Sequence, residues 1–526
     1  MASTVRAVLT AAVLVATLAL GAPAASAKHP SLQFAPCGDA GAECATAKVP
    51  LNYAKPHGRT LDVAVTRVRA TDPDRRIGTL FFNFGGPGAP AAIYVEAFGA
   101  DLFPTLSDRF DIVGVDPRGT GDSEGAIDCG VNQETQGVYS QPFDTPLNLD
   151  VDRLLRTDKR YINACLRAAD TDLLPYFSTA STARDFDWVR RALDERKLNY
   201  LGFSYGTFLG ATYASLFPRN YRSLVLDGAL DADRYINKPL LSLREQTAGI
   251  ERALSRFFAA CARDQVACSG FGGDDPWMAF DELAEAADES PIPAAQGRPV
   301  DGDDVRAAAV TAIYSKSAWG DLGLALAAAE DGDGTLLRDL ADSFYGRLDD
   351  GSYDPLLDRY FVLGALEQRY RGDLDTYLEA GDHSWGMFDH AWWNHGYTEL
   401  AWRLWPIDAR GAFYGPFKAS KRSPTVLVVG TTYDPATPYR GSVRLVRDLG
   451  NARLLTMRGD GHTAYGGNSA CIDTAVDAYL EDGVVPAEGT KCRQEVPFTA
   501  PGAAVAARQA AKVSRVLPLA RPLAQR

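Results

Sequence analysis

The stretch that most constrains this chain is Leu198-Asn199-Tyr200-Leu201-Gly202-Phe203-Ser204-Tyr205-Gly206-Thr207. Its first half reads as a short buried strand. The Phe208-Leu209-Gly210-Ala211-Thr212-Tyr213-Ala214 run that follows reads as a buried helix. Between them, Gly202-Phe203-Ser204-Tyr205-Gly206 fits G-x-S-x-G, a sharp turn that lifts a serine hydroxyl above the end of a sheet. Glycines two residues to either side let strand and helix approach closely. The helix start then points N–H groups and its positive dipole end at the same place. Five residues with three fixed are a weak pattern alone, and the bland alternative is a surface turn that happens to hold serine. The strand before it and the helix after it supply the required context.

Similar strands recur along the chain. Val49–Tyr53 and Thr60–Val68 read as an antiparallel pair, the second alternating apolar and polar residues. Thr79–Phe84, Phe110–Val115, Ser223–Gly228, Pro424–Gly430 and Ala452–Met457 read as strands of a sheet, most of them apolar throughout. A long polar connection follows Ser123, and Ser181 or Thr182 is positioned to cap a helix through Asp187–Leu193. A further helix is expected over Ala475–Leu480. Alternation of strand and helix predicts an α/β fold with a mostly parallel sheet. From about 232 to 420 the alternation stops, and helical runs such as Arg306–Ser315 and Tyr360–Tyr370 predict an inserted, mainly helical cap. The expected organisation is a core over 28–231, the cap over 232–420, and the rest of the core over 421–497.

The two ends read differently. Arg6, the apolar run Ala7–Ala22 and Ala25-Ser26-Ala27 form a cleavable export signal over 1–27. The run is shorter than the roughly 20 residues that span a bilayer, so stable membrane insertion is not expected after cleavage. Residues 498–526 are rich in Ala, Pro and Arg and read as a disordered tail. Export agrees with eight cysteines, which allow on the order of a hundred pairings. Sequential pairing closes the least loop: Cys37 with Cys44, Cys129 with Cys165, Cys261 with Cys268, Cys471 with Cys492. No C-x₂-C spacing points to zinc. The net charge of −13 and the lack of a basic patch argue against a nucleic-acid partner.

A serine hydroxyl needs a base to become nucleophilic, usually a histidine oriented by a carboxylate. Of six histidines, only His462 follows a late sheet strand. His29 and His57 lie near the N-terminal strands, and His383, His390 and His395 lie in the cap. Asp434 also sits just past a strand, with Asp227 as a rival acid. Ser204, Asp434 and His462 are the candidate catalytic residues, and their order is that of α/β-hydrolases. The candidate oxyanion-hole donors are the Tyr205 N–H and one from Gly85-Gly86-Pro87-Gly88. Pro87 has no N–H, so Gly86 or Gly88 must donate, and Gly86 is the favoured of the two. His383 and His390, seven apart with aspartates nearby, make only a weak metal pattern, and Asp331-Gly332-Asp333-Gly334 lacks the rest of a calcium loop. No cofactor or metal is expected.

These residues together resemble the secreted actinobacterial tripeptidyl aminopeptidases and the related proline-iminopeptidase-like α/β-hydrolases. The carriers are Gly85–Gly88, Asp116-Pro117-Arg118-Gly119-Thr120-Gly121-Asp122-Ser123, Gly202–Thr207, Leu226-Asp227-Gly228, Asp434-Pro435-Ala436-Thr437-Pro438 and Gly461-His462. The resemblance implies a secreted serine exopeptidase that removes short peptides or single residues from free N-termini of short or unfolded peptides. It assigns Ser204 as nucleophile, Asp434 as orienting acid and His462 as general base and acid. Two places depart from the family. The glycine-rich loop continues Ala89-Pro90 rather than Gly-Ser, and the late cap carries Asp382–Trp393 where an Ala-Ile-x-Cys-x-Asp segment is common. An exopeptidase must also read the substrate ammonium, and Glu245, Glu251, Glu367 and Asp382 are the candidate cap carboxylates. The alternatives are a secreted carboxylesterase or lipase using the same triad, and an inactive surface or carrier protein on this scaffold.

Overall fold

A computed structural model describes residues 31–38 and 40–501. The export signal expected over 1–27, His29, and all but the first four residues of the expected tail lie outside the described residues. Ten strands form one sheet in the order β1-β2-β3-β5-β4-β6-β7-β8-β9-β10. They are β1 Ala35–Cys37, β2 Ala42–Pro50, β3 Thr60–Val68, β4 Gly78–Asn83, β5 Phe110–Val115, β6 Leu198–Phe203, β7 Tyr221–Asp227, β8 Val426–Tyr433, β9 Ala452–Asp460 and β10 Lys491–Arg493. The first three pairings, β1 with β2, β2 with β3 and β3 with β5, are antiparallel; the rest are parallel. Every residue of β4, β5 and β6 is buried. That is why these segments read as mostly apolar runs: helices cover both faces of a parallel sheet.

The apolar residues sort into clusters. One joins Phe81, Tyr200, Leu224 and Val428 on one face of the sheet. A second joins Leu80, Phe82, Leu201, Val225, Leu427 and Val429 on the other. Alternate residues of each strand go to opposite faces, as the strand period of two requires. Between β7 and β8 the described regular structure is helical, and it divides in two. Helices from Pro239–Arg263 to Thr335–Tyr345 pack on one another around Phe257, Phe258, Phe280, Trp319 and Leu322. By contrast, Phe361 and Val362 of the helix Leu356–Glu367, with Trp402 and Trp405, belong to the same cluster as the sheet.

Some local expectations are corrected. The polar connection after Ser123 contains an 18-residue helix, Val151–Ala168. The helix expected around Asp187 runs Thr179–Ala192, and its cap is Ser178, not Ser181 or Thr182. Ser178 wins because it is the residue with extended φ/ψ, and its side chain accepts from the Ser181 N–H. β9 extends three residues beyond Met457, and the last helix is longer than expected, Ala470–Asp482. All four sequential disulfides are formed, and no free cysteine remains among the described residues.

Candidate active site

β6 delivers Ser204 to the carboxyl edge of the sheet. Ser204 has φ 54° and ψ −123°, a conformation that costs a non-glycine residue energy and persists only where its surroundings impose it. Its N–H donates to the Asp227 carbonyl at 2.9 Å, and its carbonyl accepts from Thr207 N at 2.9 Å and from Thr207 Oγ1 at 2.6 Å. A Cβ at Gly202 would come within 2.5 Å of the Gly206 carbonyl oxygen, and one at Gly206 within 2.5 Å of the Asn83 carbonyl oxygen. Strand, helix and the end of β4 thus approach too closely for any side chain at either glycine.

The glycine-rich loop after β4 lies against this turn. A Cβ at Gly85 would sit 2.9 Å from the Ser204 Cβ and 3.0 Å from the Tyr205 nitrogen. Ala89 N donates back to the Gly85 carbonyl at 3.2 Å, so the loop closes on itself despite the Ala89-Pro90 continuation. Asp116 holds the segment beyond it, accepting from Ala91 N at 2.7 Å, Ala92 N at 2.8 Å and Asp122 N at 3.0 Å. Burial raises its carboxyl above the ordinary value against those donors. Arg118 is buried and pairs through two nitrogens with Asp185, a structural rather than a site contact.

β8 and β9 supply the other two candidates. His462 Nδ1 lies 2.9 and 3.0 Å from the two Asp434 oxygens, with both side chains buried. Asp434 also accepts from Ala436 N at 2.9 Å, Thr437 N at 2.8 Å and Thr437 Oγ1 at 3.1 Å. An ionised carboxylate can only accept, so Nδ1 carries the proton and Nε2 keeps its lone pair. The His462 N–H donates to the Tyr314 carbonyl at 2.8 Å, and the Tyr314 ring meets the imidazole edge-on at 5.4 Å between centroids. A Cβ at Gly228 would lie 3.1 Å from His462 Cε1. The imidazole therefore rests on the residue next to Asp227, whose carbonyl anchors Ser204. The rival acid Asp227 accepts instead from Ala464 N at 2.9 Å and Tyr465 N at 2.8 Å. Burial outweighs these donors and raises its carboxyl to about 7.

The four cap carboxylates are occupied in different ways. Glu245 pairs with Arg234 and Arg444. Glu251 accepts from His390 N at 3.0 Å and Ala391 N at 2.9 Å. Asp382 is exposed and accepts from Tyr397 Oη at 2.6 Å. Glu367 is buried and accepts from Thr179 N at 2.9 Å and from the Thr179 hydroxyl. The carboxylate that sequence reasoning missed is Glu399, 2% exposed. Its Oε2 accepts from Gly396 N, and its Oε1 lies 3.5 Å from His395 Nδ1, which has no hydrogen-bond partner. The charge of Glu399 acts on two tyrosine hydroxyls, Tyr139 and Tyr360. Burial, with Tyr360, Glu399 and Tyr314 as neighbours, pushes the Tyr139 hydroxyl well above its ordinary value. Burial and Glu399 push Tyr360 up to about 12. Glu399 sits in a short turn and belongs to no motif, so nothing in the sequence singled it out.

His390 is buried with Nδ1 2.9 Å from Asp281 and its ring against Phe258, while His383 is exposed. Neither belongs to a cluster of three ligand-type residues among the described residues. The aromatics of Asp382–Trp393 pack, with Trp385 edge-on to Trp392 and Trp393 stacked on Phe143 at 4.1 Å.

Comparison with known proteins agrees with this fold. Residues 79–267 match the alpha/beta hydrolase fold family and residues 399–492 the family described as TAP-like protein. The chain is 31% identical over 475 residues to "Serine protease Hip1" of Mycobacterium tuberculosis, covering 86% of this chain and 87% of that protein. It is 33% identical over 463 residues to "Carboxylesterase B" of the same species, covering 86% of each. It is 30% identical over 471 residues to "Tripeptidyl aminopeptidase" of Streptomyces lividans, covering 86% and 83%. The chain belongs to the α/β-hydrolase family, with a C-terminal region of the TAP-like kind, and is a serine hydrolase.

Proposed function

We propose that the protein is an exported serine exopeptidase that cleaves short or unfolded peptides near a free N-terminus. The observation that carries this reading is the bond from His462 Nδ1 to Asp434, together with a serine held at φ 54° whose N–H bonds the Asp227 carbonyl, one residue before the glycine under the imidazole. In this reading His462 Nε2 takes the Ser204 proton as the hydroxyl oxygen attacks the substrate carbonyl. The oxyanion that forms is received by the N–H groups of Tyr205 and Gly86. His462 then protonates the leaving amine as the C–N bond breaks, which leaves an ester on Ser204. Water, deprotonated by the same imidazole, attacks that ester and releases the N-terminal fragment.

The helical segment 232–420 acts as a cap on the 28–231 and 421–497 core. Glu399 is the carboxylate best suited to receive the substrate ammonium. It is buried, and no lysine or arginine pairs with it among the described residues. A buried carboxylate without a cation binds a cationic group more strongly than one already paired. Four disulfides support export, and no described helix is long and apolar enough to cross a membrane.

The test is a peptide panel, each member free and N-acetylated, with fragments identified by mass. Free peptides should be cut and acetylated ones spared, and Ser204→Ala should abolish cutting. The second reading, a carboxylesterase, has one observation in its favour: the relative named Carboxylesterase B. Turnover of esters alone would decide for it, while equal turnover of free and acetylated peptides would argue against an aminopeptidase.

A further inference from the structure

The helix Leu356–Glu367 reaches the nucleophile turn from two directions. Near its start it lies on the glycine-rich loop. A Cβ at Gly88 would come within 2.3 Å of the Arg359 Cβ, and Arg359 Nη1 donates to the Gly88 carbonyl at 3.2 Å. At its last residue, Glu367 takes the Thr179 N–H with one oxygen and the Thr179 hydroxyl with the other. Thr179 Oγ1 is in turn 2.5 Å from the hydroxyl of Tyr205, the residue after Ser204. All three side chains are buried. One helix therefore touches the glycine-rich loop directly and reaches the Tyr205 side chain through Thr179.

We propose that Glu367 is a positioning residue for the oxyanion hole, holding the Tyr205 side chain through the Thr179 hydroxyl and so fixing where the Tyr205 N–H points. This rests on Ser204 being the nucleophile. A carboxylate accepts only, so ionised Glu367 orders the chain in one direction: Tyr205 donates to Thr179, and Thr179 donates to Glu367. A protonated Glu367 would donate to Thr179 Oγ1 and reverse the chain. The Thr179 N–H, in the first turn of its helix, favours the ionised form. Burial opposes it and, against the Thr179 bonds, raises the carboxyl to about 7. The other ionisable groups facing Glu367 are the Tyr205 and Tyr235 hydroxyls, and no basic side chain pairs with it among the described residues. Near neutral pH the direction of this chain thus depends on one proton.

Hydrolysis of p-nitrophenyl acetate and labelling by a fluorophosphonate test this, because both need the serine and its oxyanion hole whichever natural bond is cut. An amide at 367 must donate to Thr179 Oγ1 if it still accepts the Thr179 N–H, so Glu367→Gln fixes the reversed chain. We expect kcat to fall about tenfold, a fraction of the 10²–10³ lost with a whole oxyanion donor. KM should change less than about twofold. The rise of kcat with pH should contain two ionisations in the wild type and one in the variant. Thr179→Val, which cuts the same chain, should cost a similar factor, and the double variant should be no worse than either single. Unchanged kcat and pH slope in Glu367→Gln, or additive losses in the double variant, would overturn the proposal. Ser204→Ala separates the two levels. If it still reacts with the fluorophosphonate, the nucleophile assignment itself fails, and the positioning role with it.

Discussion

Two aspartates end neighbouring strands of the same sheet and have different partners. Asp227, the last residue of β7, and Asp434, just after β8, are both buried and both lie within a few residues of the His462 turn. Asp434 receives the imidazole, three backbone N–H groups, from Ala436, Thr437 and, at 3.4 Å, Thr463, and a hydroxyl. Asp227 receives only backbone N–H groups, from Ala464 and Tyr465, on the far side of the histidine. The difference is one of partner rather than depth. A carboxylate that meets a ring nitrogen can set a tautomer; one that meets only backbone can set the path of a loop.

The largest expected effect tests that distinction. In Asp434→Asn the Oδ1 can keep the Ala436 and Thr437 N–H groups, which both point at it. The amide NH₂ then takes the place of Oδ2 and donates to His462 Nδ1, moving the ring proton to Nε2. The base is left without a lone pair for Ser204, and kcat should fall about 10⁴-fold, the loss seen when a triad carboxylate becomes an amide. A loss smaller than tenfold in steady-state assays would break the contrast between the two acids.

A third buried acid sharpens it. Among the described residues Asp158 has one donor, Gln141 Nε2 at 2.8 Å, and its Oδ2 has no partner. Burial raises it to about 8. Its folded pKa lies above its unfolded one, so the folded state holds a proton that the unfolded state releases as pH rises from about 4 to 8. Wild-type stability should therefore fall across that window, by up to about 1.4 kcal/mol per pH unit. Asp158→Asn removes this slope, and its new NH₂ can seek Gln141 Oε1, itself unpartnered. Urea unfolding should show the variant gaining on the wild type between pH 5 and 8, by roughly 2 kcal/mol or more. Parallel curves would mean that Asp158 is not protonated in the fold.

These three acids also show what sequence can reveal. Ser204, Asp434 and His462 were legible because each follows an apolar strand, and a parallel sheet brings strand ends to one edge whatever lies between. The choice of Asp434 over Asp227 was legible only as chain order, since both follow strands. Asp158 was not legible. Its helix, Val151–Ala168, buries Leu154, Thr157, Asp158, Tyr161, Ile162 and Cys165 at helical spacing. Two of the six are polar, which blurred the apolar stripe into a polar connection. Glu399 was hidden, and Glu367 was named only as a candidate for the substrate ammonium, for a further reason. Their partners, His395, Tyr360, Thr179 and Tyr205, are set by how the helical segment docks on the sheet, and no local pattern encodes that docking. Gly88, by contrast, was legible as a glycine-loop residue, while its contact with Arg359 was not.

The smallest expected effect falls on Asp227 itself. In Asp227→Asn the amide oxygen can take the place of Oδ2, which receives both the Ala464 and Tyr465 N–H groups. The NH₂ then faces only the longer Ala464 contact at 3.1 Å, so the loop after His462 keeps its path with a small adjustment. kcat should stay within about tenfold of wild type, the scale of a modest misplacement rather than a lost reacting group. The stability change has a definite sign. Wild-type Asp227, raised to about 7 by burial, makes the folded state less stable as pH climbs from about 4 to 7, and the asparagine does not. The variant should therefore lose stability relative to the wild type at pH 4, where the native carboxyl is protonated without cost. It should recover by roughly 2 kcal/mol or more by pH 8. A kcat loss comparable to that of Asp434→Asn would place Asp227 in the proton path and dissolve the division of labour between the two strand ends.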